Sequence, residues 1–379
     1  MKDLLQEGRK RFLSEVARKV GTFDGRLILL THILPDRPEL IEAIERIAPI
    51  ARIIAIPYSR ESETYQVLST RYEILTPTLA ELRDAKYLTR LALEAAGSKE
   101  IIIVEIGGYF APIIRHLRAK LGRRLRGVVE DTEAGHRAYA TLGNLPCPVV
   151  SVARSALKEA EDVLIGISCL FSVERLLRGV GFLLESRRSL VLGYGRIGRG
   201  VARALHARLC PVMVYDLDPI RRVLALAEGY LIPERSSALS SADVIFGATG
   251  SNSVGRQDFE ALRSGTVLVS CSSKDLEFDL SGLANYARTE VTPAFDRYAK
   301  DQHVLYVLAN GRPVNFLDGA VVGPILTLVQ AEILLGIKMV LDLPKAREIL
   351  NVTTEARREL AQLWIKTFCQ PGLGSYFQA

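Results

Sequence analysis

Lys158 and Asp162 stand four residues apart in SALKEAEDVLIG (155–166), where the apolar residues recur at helical spacing. Their charged heads therefore fall on one helix face and can meet. An amine beside a carboxylate can move a proton to or from a hydroxyl. The same spacing is also that of a solvated surface pair. His32 closes the apolar run RLILLTH (26–32), and it reads either as a proton carrier or as a hydrogen-bonded structural histidine. Glu130 and Asp131 end another apolar run, as site carboxylates or as ordinary surface acids; His136 and Arg137 behind them read as a solvated or capping pair. No three His, Cys or carboxylate positions have metal-ligand spacing. Neither Ser189 nor Ser270 sits in a nucleophile elbow.

A second chemistry lies in 189–220. The apolar run 190–192 leads into Gly193, Gly195 and Gly198, spaced G-x-G-x-x-G, with Ile197, Val201, Ala202 and Leu205 at helical spacing behind. A further apolar run, 212–215, ends in Asp216, 18 residues after Gly198. Gly193 permits the tight turn, Gly195 lets the backbone approach a pyrophosphate, and Gly198 lets helix pack on strand. The helix N-terminus turns its unpaired N–H groups towards the phosphates. Asp216 would accept from the adenosine ribose hydroxyls and repel a 2′-phosphate, so the expected cofactor is NAD. Arg196 and Ile197, inside the turn, are expected to border it.

The elements around these residues imply an α/β fold of two Rossmann-like parallel-sheet domains, the NAD-binding domain inserted into a substrate domain. Strands are expected at 26–32, 51–56, 101–105, 127–130 and 148–151. Helices are expected at 3–20, 38–47 and 78–96, and from Gly107-Gly108 to about 121. Strands alternating with helices give a parallel sheet covered on both faces, with ligands beyond the carboxyl ends of its strands. His32, Tyr58, Glu105, Asp131 and Ser151 all fall at such ends. One long helix, about 155–185, should cross between domains. The expected division is 1–184 (substrate, first part), 185–322 (NAD-binding, with strands at 244–247, 266–269 and 303–308) and 323–379, a helical return (325–341, 345–350, 354–368).

Composition bounds the classes. The 379 residues are 48% hydrophobic and 24% charged, as in a globular chain of two ordinary domains. The net charge of +6 is scattered, with no basic block interleaved with aromatics, so nucleic acid is not an expected partner. Five dispersed cysteines without C-x-x-C read as buried thiols of a reducing compartment. MKDLLQEGRKRF lacks a signal-peptide core. The apolar stretch 321–341 contains Gln330, Glu332 and Lys338, so it reads as a buried helix and no membrane partner is expected. A cytoplasmic location follows as an expectation.

Read together, these segments resemble the S-adenosylhomocysteine hydrolase family over most of the chain. The strongest likeness is VLGYGRIGRGVARAL (191–205) followed by YDLDPI and AEGY. It continues in GATGSNSVGRQDFEALRSGTVLVS (247–270), DLEFDLSGL (275–283) and LANGRPVNF (308–316). Upstream, LTHILPDRPELIEAI (30–44), GVVEDTEAGHRAY (127–139) and SALKEAEDVLIG match in the same order. The resemblance implies a tightly held NAD that oxidises the 3′-hydroxyl of a nucleoside. The ketone then acidifies the neighbouring 4′ hydrogen, the 5′ thiol is eliminated, water adds to the enone, and the stored hydride returns. It implies that Lys158 and Asp162 hold and deprotonate the 3′-hydroxyl, that Asp131 stands near the 2′/3′-hydroxyls beside Glu130, and that His32 acts at the 5′ side. Asp36, Glu130 and Ser273 would touch substrate. Thr132, Thr249 and Asn315 would touch NAD. A homo-oligomer, dimer or tetramer, is also implied.

Several positions depart from the family. Ile106 stands where it has a catalytic aspartate, Ser273 where a histidine contacts the sugar, Gly323 where a histidine precedes Pro324, and Val163 where an asparagine follows Asp162. His32-Ile33-Leu34 lacks the adenine-loop threonine, and the C-terminal GLGSYFQA lacks the tail that covers NAD of a neighbouring subunit. The oxidation residues are thus kept while the elimination, hydration and pocket residues are altered. The expected activity is a diverged member in which dehydration or another 5′ elimination or addition follows oxidation. True hydrolysis of S-adenosylhomocysteine, a nucleoside epimerase, and an NAD-sensing regulatory protein without catalysis stay open.

Overall fold

The computed structural model describes residues 2–272 and 277–369, and these fall in two compact units: 2–158 with 323–369, and 159–272 with 277–322. In the first unit seven parallel strands lie in the order Ile349–Leu350, Val149–Ser151, Leu125–Glu130, Ile101–Glu105, Arg26–Ile33, Ile50–Arg60, Ile74–Leu75. Its central strands are apolar on both faces because both are covered. Leu27 and Leu29 enter one cluster with helices Lys2–Val20 and Leu326–Asp342; Ile28 and Leu30 enter the other with Ala85–Ala96 and Ile114–Leu121. Ile102 and Val104 against Ile101 and Ile103 repeat this two-residue alternation. Each fully buried Leu or Ile contributes about 1.5–3 kcal/mol to holding the sheet between its two helical layers.

The second unit orders its strands Ala287–Thr292, Phe295–Lys300, His303–Leu308, Thr266–Ser270, Val244–Gly247, Ser189–Leu192, Val212–Tyr215. The last five are parallel; Ala287–Thr292 and Phe295–Lys300 pair antiparallel as an added hairpin. The α/β class with two Rossmann-like sheets therefore stands, one sheet all parallel and one mostly so.

Helix Ala156–Gly179 is where the expected division shifts. The chain divides after Lys158, not after residue 184. Cys169, Leu170, Val173 and Leu177 of this helix pack with Val191, Val201 and Leu205 of the second unit's sheet and first helix. The contact is backbone-close: a Cβ on Gly166 would lie 2.6 Å from Gly200 C, and one on Gly200 would lie 2.9 Å from Val163 O.

Three local expectations fail for physical reasons. The helix expected over 78–96 is two, Leu79–Arg83 and Ala85–Ala96, because Asp84 breaks it and caps the second part through Lys86 N. The helix expected over 345–350 is instead an edge strand, Ile349–Leu350, paired with Val149 and Val150. The solvated reading of His136 also fails. His136 is buried, its Nδ1 3.0 Å from Ser151 Oγ at the next strand end. Among the described residues one helix, Gly323–Asp342, is long and apolar enough to cross a membrane, and 67% of its apolar window is buried. Its neighbours there are the sheet residues Val129 and Val150 and the first helix.

Candidate functional site: a dinucleotide cradle and a buried Lys–Asp pair

The cradle is built at the carboxyl end of Ser189–Leu192, which lies between Val212–Tyr215 and Val244–Gly247. Connections leave this strand to both sides, so a crevice opens at its end. Gly193 has φ +91°, and a Cβ there would lie 2.7 Å from Ala248 O, so the turn presses against the loop after Val244–Gly247. A Cβ on Gly198 would lie 1.9 Å from Gly193 O, so only glycine lets helix Arg196–His206 start this close to its strand. Gly195 is the N-cap, and a Cβ there would meet one atom within 4 Å, Arg221 Nη1 at 3.6 Å. The main chain is thus open where a pyrophosphate must approach.

Asp216 is buried, and its carboxylate pins two loops, accepting from Tyr194 N at 2.6 Å and from Asp218 N at 2.8 Å. On the other side of the crevice Thr249 N and Gly250 N each donate to Glu277 Oε1 at 2.7 Å, and Thr249 Oγ1 donates to Oε2 at 2.9 Å. Ser272 Oγ donates to the same carboxylate. Arg196 Nη1 lies 3.6 Å from Asp162 Oδ2, Ile197 packs against the core, and Asn315 is buried in the turn Val314–Asp318. These residues fit NAD: an open glycine, helix N–H groups and an oriented acid. Ser273 lies outside the described residues.

In the first unit the strand Arg26–Ile33 has the corresponding position, between Ile50–Arg60 and Ile101–Glu105. Lys158 Nζ donates to Asp131 Oδ1 at 2.9 Å, the two side chains 11% and 13% exposed. Burial works to raise the Asp131 pKa, but Lys158, Arg37 and His32 hold the carboxyl below its ordinary value. Asp131 is therefore ionised at neutral pH. Burial and the charge of Arg37, then Lys158, push His32 down to about 3 against the opposing pull of Asp131. His32 hydrogen-bonds Ser59 Oγ through Nδ1. It is neutral, a hydrogen-bonding partner and not a resident acid.

Three residues expected to touch a ligand carry hydrogen bonds within the chain. Glu130 is wholly buried and spent on its own loops, accepting from Gly107 N (3.0 Å), Gly108 N (2.9 Å), Thr132 N (2.7 Å) and Thr132 Oγ1 (2.7 Å). Burial and neighbouring Glu105 push it up to about 8, against those donors. Glu105 is itself bonded by Phe110 N and the Tyr139 hydroxyl. Thr132, expected at the nicotinamide, instead caps helix Glu133–Ala140; its Oγ1 accepts from Gly107 N and Gly135 N while donating to Glu130. Asp36, expected at the substrate, is buried, accepts from Gln330 Nε2 at 2.7 Å and lies 3.4 Å from Arg37 Nη1.

Sequence reasoning missed Arg37, Ser59, Glu277 and Arg221. Glu277 lay inside a quoted stretch, yet nothing in its spacing separates it from Asp275 and Asp279; only the folded loop aims it at Thr249. Arg37 could have been flagged as a charge beside Pro38 at a helix start, a place more often exposed.

Residues 168–321 match the family model described as S-adenosyl-L-homocysteine hydrolase, NAD binding domain. The chain therefore carries an NAD-binding domain similar to that family's, and NAD is its cofactor. Among solved structures it is similar to a pyruvate reductase of Chlamydomonas reinhardtii, at 16% identity over 86% of this chain and 98% of that one, TM-score 0.47. It is also similar to a glyoxylate reductase from Paecilomyes thermophila, at 14% identity over 88% and 99%, TM-score 0.45.

Proposed function

We propose that the chain is an NAD-dependent enzyme that transiently oxidises the 3′-hydroxyl of a nucleoside and eliminates a 5′ group, with water as the leaving group. The observation that carries this reading is the nearly buried Lys158–Asp131 pair at 2.9 Å, set among strand ends with neutral His32, in a chain whose other unit binds NAD. NAD supplies a hydride acceptor that later becomes the donor. Lys158 and Asp131 hold the vicinal hydroxyls, ammonium donating to one oxygen and carboxylate accepting from the other. As hydride leaves C3′, the hydroxyl proton passes to this pair. The C4′ hydrogen, now next to a carbonyl, leaves as a proton and is taken up by the departing 5′ oxygen, which leaves with the C5′–O bonding electrons as one water. His32 hydrogen-bonds at that end. The pair then returns its proton as C3′ is reduced, so the net change is loss of water across C4′–C5′ with no oxidation.

Ile106 favours elimination over hydrolysis. It is 7% exposed and packed with Ile103 and Phe110, so an alkyl group stands where the resembled family places its catalytic aspartate. Hydration of the unsaturated intermediate loses that proton carrier.

The test is incubation with purine nucleosides and S-adenosylhomocysteine, following the nicotinamide absorbance and the product mass. A product lighter by one water is expected, and Lys158→Met should slow its formation by roughly 10²–10⁴-fold with NADH affinity unchanged. Released homocysteine would replace the proposal with hydrolysis. Turnover unaffected by Lys158→Met, or no nucleoside that reduces the cofactor, would end it.

A further inference from the structure

Arg221 stands over the dinucleotide cradle in the first turn of helix Pro219–Ala227, five residues after Asp216. Its Nη1 lies 3.5 Å from Asp216 Oδ2 and its Nε 3.8 Å from Asp218 Oδ2. Among the described residues, the same Nη1 is the atom met by a Cβ placed on Gly195, at 3.6 Å. The guanidinium is therefore next to both the acid that orients the ribose and the glycine that admits the pyrophosphate. At 42% exposure it is held there by charge and not by packing. Asp216 does not depend on it, since the carboxylate already accepts two short backbone bonds, from Tyr194 and Asp218. Its neighbour Arg222 is otherwise engaged, with Glu234 at 3.1 Å and over the Tyr215 ring.

We propose that Arg221 binds a phosphate on the adenosine half of the dinucleotide. Asp216 and Asp218 keep the guanidinium above Gly195 before binding. When ribose hydroxyls take up Asp216, the fork of N–H donors turns to phosphate oxygens, its preferred planar partners. The guanidinium lies over Gly195, the glycine that admits the pyrophosphate, so the phosphate is the 5′ one. A 2′-phosphate would lie beside the Asp216 carboxylate and be repelled. The acid alone would attract the ribose and repel the phosphates near it; with Arg221 the two ends of adenosine 5′-phosphate meet opposite charges.

The test is displacement of NADH from the full-length protein, read by nicotinamide fluorescence, so that only the dinucleotide site reports. Competitors are 5′-AMP, 2′-AMP and adenosine, against the parent protein, Arg221→Ala and Arg221→Lys. Arg221→Ala should raise the 5′-AMP needed for half-displacement by roughly tenfold or more, leave adenosine within about twofold, and flatten the salt dependence of NADH binding. Arg221→Lys, which keeps the charge and loses the fork, should recover part of the loss. A loss confined to 2′-AMP would overturn the proposal, because the phosphate held by Arg221 would then be on the other ribose oxygen. Equal weakening of adenosine and both nucleotides, or no weakening of any, overturns the proposal.

Discussion

In the second unit the first strand, Ser189–Leu192, runs out into Gly193, Tyr194 and Gly195, and the helix starts within contact of its own strand. In the first unit the strand Arg26–Ile33 occupies the same place between its neighbours, yet it ends on His32, Ile33 and Leu34 with no glycine. The first arrangement leaves main-chain N–H groups open to a ligand. The second fills that space with side chains and brings Lys158, Asp131 and His32 among the strand ends. The same strand position thus carries a dinucleotide cradle in one unit and a buried Lys–Asp pair in the other, according to the residues that terminate a few strands. Both units also use a buried carboxylate to hold a loop: Glu130 for Gly107-Gly108, Glu277 for Thr249-Gly250.

Gly198→Ala should break the contrast most severely. Its Cβ would fall 1.9 Å from Gly193 O, backbone against backbone with no flexible side chain to yield. NADH binding should be lost, with destabilisation of about 3 kcal/mol or more, read by NADH titration and thermal denaturation. A variant that binds NADH normally would show that the glycine turn is not what sets the second unit apart.

Glu130→Ala and Glu277→Ala form a pair of smaller effect. Each strips the acceptor from two or three backbone N–H groups, and each should cost roughly 2–4 kcal/mol in urea denaturation. Only Glu277→Ala should also weaken NADH binding, because Thr249-Gly250 flanks the glycine turn. Equal loss of NADH affinity in both would erase the proposed division of labour.

The mildest test is the pH dependence of melting. His32 titrates at about 3 in the folded chain against 6.5 when unfolded. Below 6.5 the unfolded state gains a proton that the folded state refuses, so stability falls as pH drops from 6.5 towards 3. Glu130 has the opposite sign: the folded chain keeps its proton up to about 8 while the unfolded one loses it near 4.5, so that contribution is lost as pH rises across this window. His32→Gln should shallow the acid limb and Glu130→Gln the alkaline one. An acid limb unchanged in His32→Gln would mean that His32 is not neutral in the folded chain.

Periodicity made the central strands legible because each is apolar on both faces; Ile101–Glu105 falls where its run of Ile and Val places it. The edges were not legible. Ile74–Leu75 and Ile349–Leu350 are two residues long, too short to carry a pattern, and they exist because a neighbour offers hydrogen bonds. The strands Ala287–Thr292 and Phe295–Lys300 escaped because the outer one is exposed almost throughout, so no apolar run marks it. The site divides in the same way. Glycine spacing and the strand-ending acid reveal the cradle, since the constraints are local in the chain. Which of two adjacent acids faces inward, Glu130 or Asp131, depends on loops 23 residues upstream and a lysine 27 residues downstream. No local pattern encodes that choice.

A Cβ on Gly135 would collide with the Glu130 carboxyl at 2.0–2.3 Å, so this glycine keeps room for a carboxyl that the protein supplies itself. The carboxyl lies in a concavity of N–H groups of the kind that elsewhere takes phosphate. In the first unit that position is therefore self-occupied. A phosphorylated compound would have to evict a buried side chain to use it, whereas an uncharged sugar would not. The concavity is closed from within, by a side chain that ties Gly107-Gly108 to Thr132.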